Sequence, residues 1–192
     1  MARESTFTNM TLTLLVVTFV SAIALGYVYT WTKEPIAQAR LATQLAAIGT
    51  VMPGYDNNPV DEKFWIRNGS DSLECFPAQK NGKSIGVAIK SVGHKGYSGD
   101  VWLMVGLDSA GIIQNIVVIE HKETPGLGSK MTGDKFLGQF LGKNPGTTDF
   151  RVKKDGGTID GISGATISSR AFIDAVLRAY KTYRDHGKEA HH

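Results

Sequence analysis

The run VWLMVGLDSAGIIQNIVVIE, residues 101–120, is the clearest indication of the architecture. Val101–Leu107 and Ile112–Glu120 consist mainly of apolar and β-branched residues, which suit the pleated surface of a sheet. Asp108-Ser109-Ala110-Gly111 lies between them and is rich in residues that favour turns. We therefore predict two antiparallel strands in the core of a sheet.

A second strand pair is predicted upstream of the first. Leu73–Ala78 and Ser84–Lys90 flank Asn81-Gly82, a dipeptide that tolerates positive φ and therefore suits a tight hairpin turn. The two pairs together indicate an antiparallel sheet.

Helices are predicted before and after these strands in the sequence. A helix starting at Pro35 is indicated by apolar residues at helical spacing, namely Leu41, Leu45, Ile48 and Met52. Thr132–Leu141 predicts a short helix with three apolar side chains inward, namely Phe136, Leu137 and Phe140. The last helix, from about Ser168 to Tyr183, has an apolar face made of Phe172, Ile173, Val176, Leu177 and Tyr180. A sheet with appended helices makes the fold class α+β.

Length, charge and cysteine content narrow the possible functions. The chain has 192 residues, which allows one domain of ordinary size and an appendage. Its net charge of +3 is spread along the chain, so nucleic-acid binding has no support. A single cysteine, Cys75, cannot form an intrachain disulfide, a cysteine-based zinc site or an iron–sulfur cluster. We predict no metal site, and redox chemistry would require an organic cofactor.

The N-terminal region contains a candidate membrane helix. Thr11–Thr32 has no charged side chain and is long enough, as a helix, to cross ~30 Å of hydrocarbon. We predict an N-terminal tail and transmembrane anchor helix over residues 1–32, and a single soluble domain over residues 33–192. The alternative is a cleavable signal peptide, because Ala22-Ile23-Ala24 has the small-x-small form that a signal peptidase accepts. The apolar run continues past Ala24, which favours an anchor.

The motif with the most chemical content is Asp160-Gly161-Ile162-Ser163-Gly164-Ala165-Thr166, directly before the last helix. Small residues let backbone and ligand approach closely, and hydroxyls beside the free N–H groups of a helix start favour a phosphate. The alternative is that the hydroxyls only cap the helix. A serine hydrolase is disfavoured, because the G-x-S-x-G pattern ends in Ala165 and a partner pair, Asp174 and His186, lies on or beside one helix.

These seven residues match the D-x-x-[ST]-G-A-[TS] flavinylation motif, in which the last hydroxyl forms a phosphoester with flavin mononucleotide (FMN). Two more stretches, HKETPGLG at 121–128 and KGYSGD at 95–100, accompany the single N-terminal helix and the short length. Together they resemble the G subunit of the Rnf ion-translocating electron-transport complex. The C subunit of the sodium-pumping NADH:quinone reductase is related but usually longer.

The resemblance implies that FMN is covalently attached to Thr166 and that three stretches contact it. The implied contacts are Ser163, Gly164, Ala165 and Ile167 at the phosphate, Glu123, Thr124, Leu127 and Gly128 against the flavin, and Tyr97, Ser98 and Gly99 as a third wall. Ser98-Gly99-Asp100 departs from the Gly-Gly-Pro-like sequence expected there. No residue is assigned a catalytic role.

A separate flavin transferase is also implied, because no base adjoins Thr166 in the sequence to activate its hydroxyl. In the family this enzyme uses FAD with magnesium. It would recognise Asp160, Ser163, Gly164, Ala165 and Thr166.

The resemblance further implies a membrane-anchored electron-carrier subunit of an Rnf-type ferredoxin:NAD+ oxidoreductase, which contributes to coupled Na+ or H+ translocation. The chain alone should show little turnover. Its expected partners are the other membrane and peripheral subunits, the transferase and the lipid bilayer. The implied location is the inner (cytoplasmic) membrane, single-pass, with the domain on the extracytoplasmic side. The alternative function is a membrane-tethered binding or scaffold module without a covalent cofactor.

Overall fold

The structure, a computed structural model, describes residues 6–69 and 71–186. One compact unit ends at Thr43 and a second begins at Gln44. The first contains most of a single long helix, Phe7–Val51 (α1), which is long and apolar enough to cross a membrane.

The predicted helix start at Pro35 is wrong, because Pro35 lies inside α1. A proline inside a helix removes one backbone hydrogen bond and usually bends or ends the helix. Here good helix formers follow the proline, in Ala37-Gln38-Ala39-Arg40-Leu41, and the helix continues through it.

The second unit contains a five-stranded antiparallel sheet in which every strand pairs with its neighbours in chain order. The strands are Phe64–Asn68 (β1), Asp71–Lys80 (β2), Lys83–Gly93 (β3), Val101–Asp108 (β4) and Ile113–Glu120 (β5). The predicted antiparallel strand pairs and the α+β class are confirmed, while β1 was not predicted. At the hairpin between β2 and β3, Asn81 and Gly82 have φ of 53° and 71°, as that turn requires.

Both faces of the sheet are covered within the second unit. Alternate residues of β4, such as Leu103 and Val105, are fully buried in one cluster with Phe172 of the last helix, Thr166–His186 (α3). The intervening Met104 is buried in another cluster with Ile48, at the end of α1. The period of two in the strand therefore divides its side chains between two cores.

An aromatic cluster fills the core beneath α3. Phe136, Phe140 and Phe172 have ring centroids 5.1–5.4 Å apart, and Phe150 lies 5.2 Å from Phe140. The predicted burial of Phe136 and Phe140 is confirmed. The predicted helix Thr132–Leu141 is shorter in the structure, where Asp134–Leu137 (α2) follows a 3₁₀ turn, Gly128–Thr132.

A charged cluster closes the loop between β3 and β4. Nε2 of His94 lies 2.9 Å from Oδ2 of Asp71, and Nδ1 lies 3.1 Å from Oδ1 of Asp100. Arg178 of α3 also donates to Asp71. Hydrogen bonds to Asp71 and Asp100 raise the pKa of His94 above its ordinary 6.5, and the bond to Asp71 has the larger effect. When it is protonated, the imidazole donates from both ring nitrogens and so joins both ends of the loop, residues 94 and 100, to the start of β2.

This cluster predicts a pH-dependent contribution to stability. Because the pKa of His94 is raised in the folded chain, its contribution is complete below the ordinary value of 6.5 and is lost as the pH rises through the folded value. We expect His94→Asn to lower the free energy of unfolding more at about pH 6 than at about pH 9. Denaturant unfolding of both full chains in detergent measures this difference, and an equal loss at both pH values would contradict it.

Candidate functional site

A cavity of about 480 Å³ lies where four segments of the second unit meet. They are the loop before β4, the residues after β5, and the start of α3 together with a nearby 3₁₀ turn, Lys153–Asp155. Its size falls in the range of small-molecule sites. The lining residues are Tyr97, Glu123, Thr124, Leu127, Gly128, Lys154, Gly164, Ala165, Thr166, Ile167 and Ser168.

The carboxylate of Glu123 connects these segments and is only 5% exposed. Its Oε2 accepts a hydrogen bond from Oγ of Ser168 at 2.7 Å, and its Oε1 accepts one from the backbone N–H of Ser98 at 3.2 Å. A buried carboxylate is costly unless it is hydrogen-bonded, so these two donors make its burial possible. Glu123 thus joins the loop before β4 to the first turn of α3.

Two glycines make room for this carboxylate. A Cβ atom on Gly128 would lie 2.7 Å from Oε2 of Glu123 and 2.7 Å from Oγ of Ser168. A Cβ on Gly96 would lie 2.7 Å from Oε1 of Glu123. Any residue with a Cβ atom at position 96 or 128 would therefore clash with the carboxylate, and glycine lets the backbone lie close to it.

Thr166 is the first residue of α3 and is partly exposed at the cavity. The preceding turn is held by the Ala165 N–H, which donates to the Ile162 carbonyl at 2.9 Å, and by the Ile162 N–H, which donates to Oγ of Ser169 at 2.9 Å. Gly164 makes the reversal into the helix with φ of 75°. The first N–H groups of a helix lack intrahelical acceptors and lie at its positive end, so this turn presents Thr166 where an anion is favoured.

The cavity brings most of the predicted cofactor contacts together. The predicted residues that line it are Tyr97, Glu123, Thr124, Leu127, Gly128, Gly164, Ala165, Thr166 and Ile167. Ser163 lines a neighbouring cavity of about 790 Å³, together with Asp160. Ser98 contributes its backbone N–H to Glu123, and Gly99 is exposed outside the cavity lining.

Two lining residues, Ser168 and Lys154, were not predicted. Ser168 stands two residues after Thr166, in the first turn of the helix, so a capping analysis of that turn could have found it. Nζ of Lys154 lies 3.5 Å from Oγ1 of Thr166. Nothing in the local sequence indicates this contact, because it depends on how the 3₁₀ turn packs beside α3.

The cavity lining has a polar, cationic part and an apolar part. The side with Thr166 and Lys154 has a hydroxyl, a cation and a helix start. Three exposed apolar or aromatic side chains also line the cavity, with Tyr97 71%, Leu127 44% and Ile167 46% accessible to solvent. Such a lining suits a ligand that has a phosphate at one end and a planar, largely apolar ring at the other.

Comparison with known proteins identifies a domain family and relatives that match most of this chain. Residues 96–181 match the family described as FMN-binding domain. The G subunit of the ion-translocating oxidoreductase complex from Aliivibrio fischeri strain MJ11 is 34% identical over 173 residues, which cover 84% of this chain and 82% of that protein. Its counterpart from Vibrio cholerae serotype O1 strain M66-2 is 31% identical over 192 residues, covering 94% and 91%.

A solved structure has a similar fold. The crystal structure of Shewanella oneidensis NqrC aligns with a TM-score of 0.50 at 22% sequence identity, over 71% of this chain and 69% of that one.

The connection through Glu123 predicts different effects for two serines beside the motif. Ser168→Ala removes a donor from a buried carboxylate and should lower the free energy of unfolding by about 1–3 kcal/mol. Ser163→Ala, at an exposed position, should change it by less than about 0.5 kcal/mol. Denaturant unfolding of the full chain in detergent measures both values, and equal losses would show that the hydrogen bond does not stabilise the site.

Proposed function

Because this chain belongs to the family of the G subunit of the ion-translocating oxidoreductase complex, we propose that it is a membrane-anchored flavoprotein with FMN in ester linkage to Thr166. The family and the FMN-binding domain make it an electron-transport subunit of such a complex. The family relationship does not establish three features, which belong to the proposal. They are the ester at Thr166, the electron donor and acceptor of the complex, and the ion that it moves.

The position of the Thr166 hydroxyl is the observation that supports the ester. It lies at the start of α3, at the cavity and partly exposed, so an enzyme can reach it. Ser163 of the same motif lies beside the other cavity, and Ser168 and Ser169 are buried with their hydroxyls in hydrogen bonds. Thr166 is therefore the hydroxyl of the motif region that is both accessible and placed at the cavity lined by Glu123 and Leu127.

The lining fits the two ends of FMN. The helix start at Thr166 would receive the phosphate, and the apolar side chains of Leu127 and Ile167 would contact the ring, with Tyr97 as a further wall. When bound, FMN supplies the electron transfer, which no side chain of this cavity can provide. The part of the protein is to hold, orient and partly shield the cofactor.

The surroundings of Thr166 support the need for a separate transferase. Its side-chain neighbour is the ammonium of Lys154, which is a donor without an acceptor site and cannot take the hydroxyl proton. The oxygens of Glu123 already accept hydrogen bonds from Ser168 and Ser98. We propose that the transferase supplies both the base and magnesium, while Oγ1 of Thr166 displaces AMP from the FMN phosphorus of FAD.

Exposure of the cavity rim suits electron exchange with other subunits, because a partner can approach the ring over Tyr97, Leu127 and Ile167. We place the chain in an Rnf-type ferredoxin:NAD+ oxidoreductase that couples electron transfer to Na+ or H+ translocation. In this proposal the apolar N-terminal part of α1, over residues 11–32, spans the inner membrane, and the flavin domain lies on the extracytoplasmic side.

Replacement of Thr166 tests the ester directly. Thr166→Val keeps the shape of the side chain and removes the attacking oxygen, so flavin fluorescence should disappear from the denatured band when the chain is co-expressed with a flavin transferase. Thr147→Val alters an exposed threonine outside the lining of this cavity and should keep the fluorescence. The measurement is ultraviolet illumination of a denaturing gel. A fluorescent Thr166→Val band would move the attachment elsewhere, and a dark wild-type band would refute the covalent flavin.

A further inference from the structure

Lys154, which lies outside the motif 160–166, is close to the hydroxyl of Thr166. We propose that Lys154 is the residue that binds the FMN phosphate and supplies its countercharge. This inference rests on the proposed function, since it concerns the phosphate end of the same cofactor.

Lys154 comes from outside the motif but reaches the cavity. It lies in the 3₁₀ turn Lys153–Asp155, and its Nζ is 3.5 Å from Oγ1 of Thr166. A phosphate esterified to that oxygen has its remaining oxygens one bond beyond phosphorus, within reach of the flexible lysine side chain. A neutral hydroxyl needs no cation, whereas a phosphoester does.

The turn that presents Lys154 is attached to the same helix as Thr166. Nε of Arg170 donates to Oδ2 of Asp155 at 2.8 Å, and Nη2 donates to Oδ1 at 2.7 Å. This two-point pairing fixes geometry as well as charge. Because Arg170 stands one helical turn after Thr166, the ion pair keeps Lys154 near the attachment oxygen.

The neighbouring cations already face carboxylates. Nζ of Lys153 lies 2.7 Å from Oδ1 of Asp160, and Arg170 pairs with Asp155. The hydrogen bond of Lys154 is with the Thr166 hydroxyl, which bears no charge. Of these three cations, Lys154 is therefore the one whose charge remains available for an anion at the cavity.

Charge matching supports the same assignment. FMN joined to threonine through its phosphate is a phosphodiester with one negative charge, and one lysine balances it. The N–H groups at the start of α3 add hydrogen bonds to the same anion. Glu123 is the carboxylate in the lining, and its oxygens are directed to Ser168 and Ser98.

A comparison of FMN with riboflavin isolates the phosphate. In the full chain in detergent, Thr166→Val prevents the ester, so binding of each flavin can be followed by fluorescence titration at low salt. We expect this parent to bind FMN more tightly than riboflavin. Adding Lys154→Met should weaken FMN binding about tenfold and leave riboflavin binding unchanged, whereas Lys154→Arg should retain most of the preference. Lys181→Met, an exposed lysine farther along α3, is the matched control and should change neither.

Two results would overturn the assignment. The first is that the Thr166→Val chain binds FMN no more tightly than riboflavin, or binds neither flavin. The other is Lys154→Met weakening both flavins equally, which would show a general effect on the cavity. Either result leaves the ester itself to be judged by the Thr166→Val gel, so failure of the lysine assignment and failure of the proposed function are distinguishable.

Discussion

The buried carboxylate of Glu123 is the contact on which the shape of the site depends. It accepts hydrogen bonds from the Ser98 backbone and the Ser168 hydroxyl, so it joins the loop that bears Tyr97 to the helix that begins at Thr166. Glycines at 96 and 128 bring the backbone close enough to surround it. The ETPGLG stretch is therefore a structural centre as well as a candidate flavin contact.

The arrangement separates retention of the cofactor from control of its redox chemistry. A redox flavin changes charge as it takes up electrons, so non-covalent contacts hold its different states unequally, whereas an ester holds them all. Attachment through the phosphate leaves the ring chemically unmodified, and its potential then depends on burial, hydrogen bonds and nearby charge. In the proposed complex, the exposed rim at Tyr97 and Leu127 would allow electrons to pass to a neighbouring protein while the ester prevents loss of the carrier.

Much of the fold could be predicted from local sequence, because its main signals are local. The hairpins are marked by Asn81-Gly82 and by the turn residues after β4, and the strands between them contain apolar and β-branched residues. β1 was missed because Phe64–Asn68 is short and mixes aromatic and charged residues, with Trp65 exposed on the edge strand. The helix start predicted at Pro35 is wrong because the proline does not break α1, in which the good helix formers of residues 37–41 follow it.

The site residues, like the elements of the fold, could be predicted from the sequence only where the signal is local. Residues of contiguous motifs, such as Gly164 to Ile167 and Thr124 to Gly128, could be proposed from the sequence, and the structure places most of them at one cavity. Lys154 could not be proposed, because its proximity to Thr166 arises from the Arg170–Asp155 ion pair between a turn and a helix. Contacts of this kind depend on tertiary packing, for which one sequence gives no periodic or motif signal.

The most direct test of the central claim is tandem mass spectrometry of the full chain co-expressed with a flavin transferase. Trypsin cleaves after Lys154 and Arg170, so the attachment hydroxyl lies in the peptide 155–170, which also contains Thr158, Ser163, Ser168 and Ser169. We predict that this peptide is heavier by one FMN less one water, and that fragment ions place the added mass on Thr166. An unmodified peptide, or the mass on another of these hydroxyls, would contradict it.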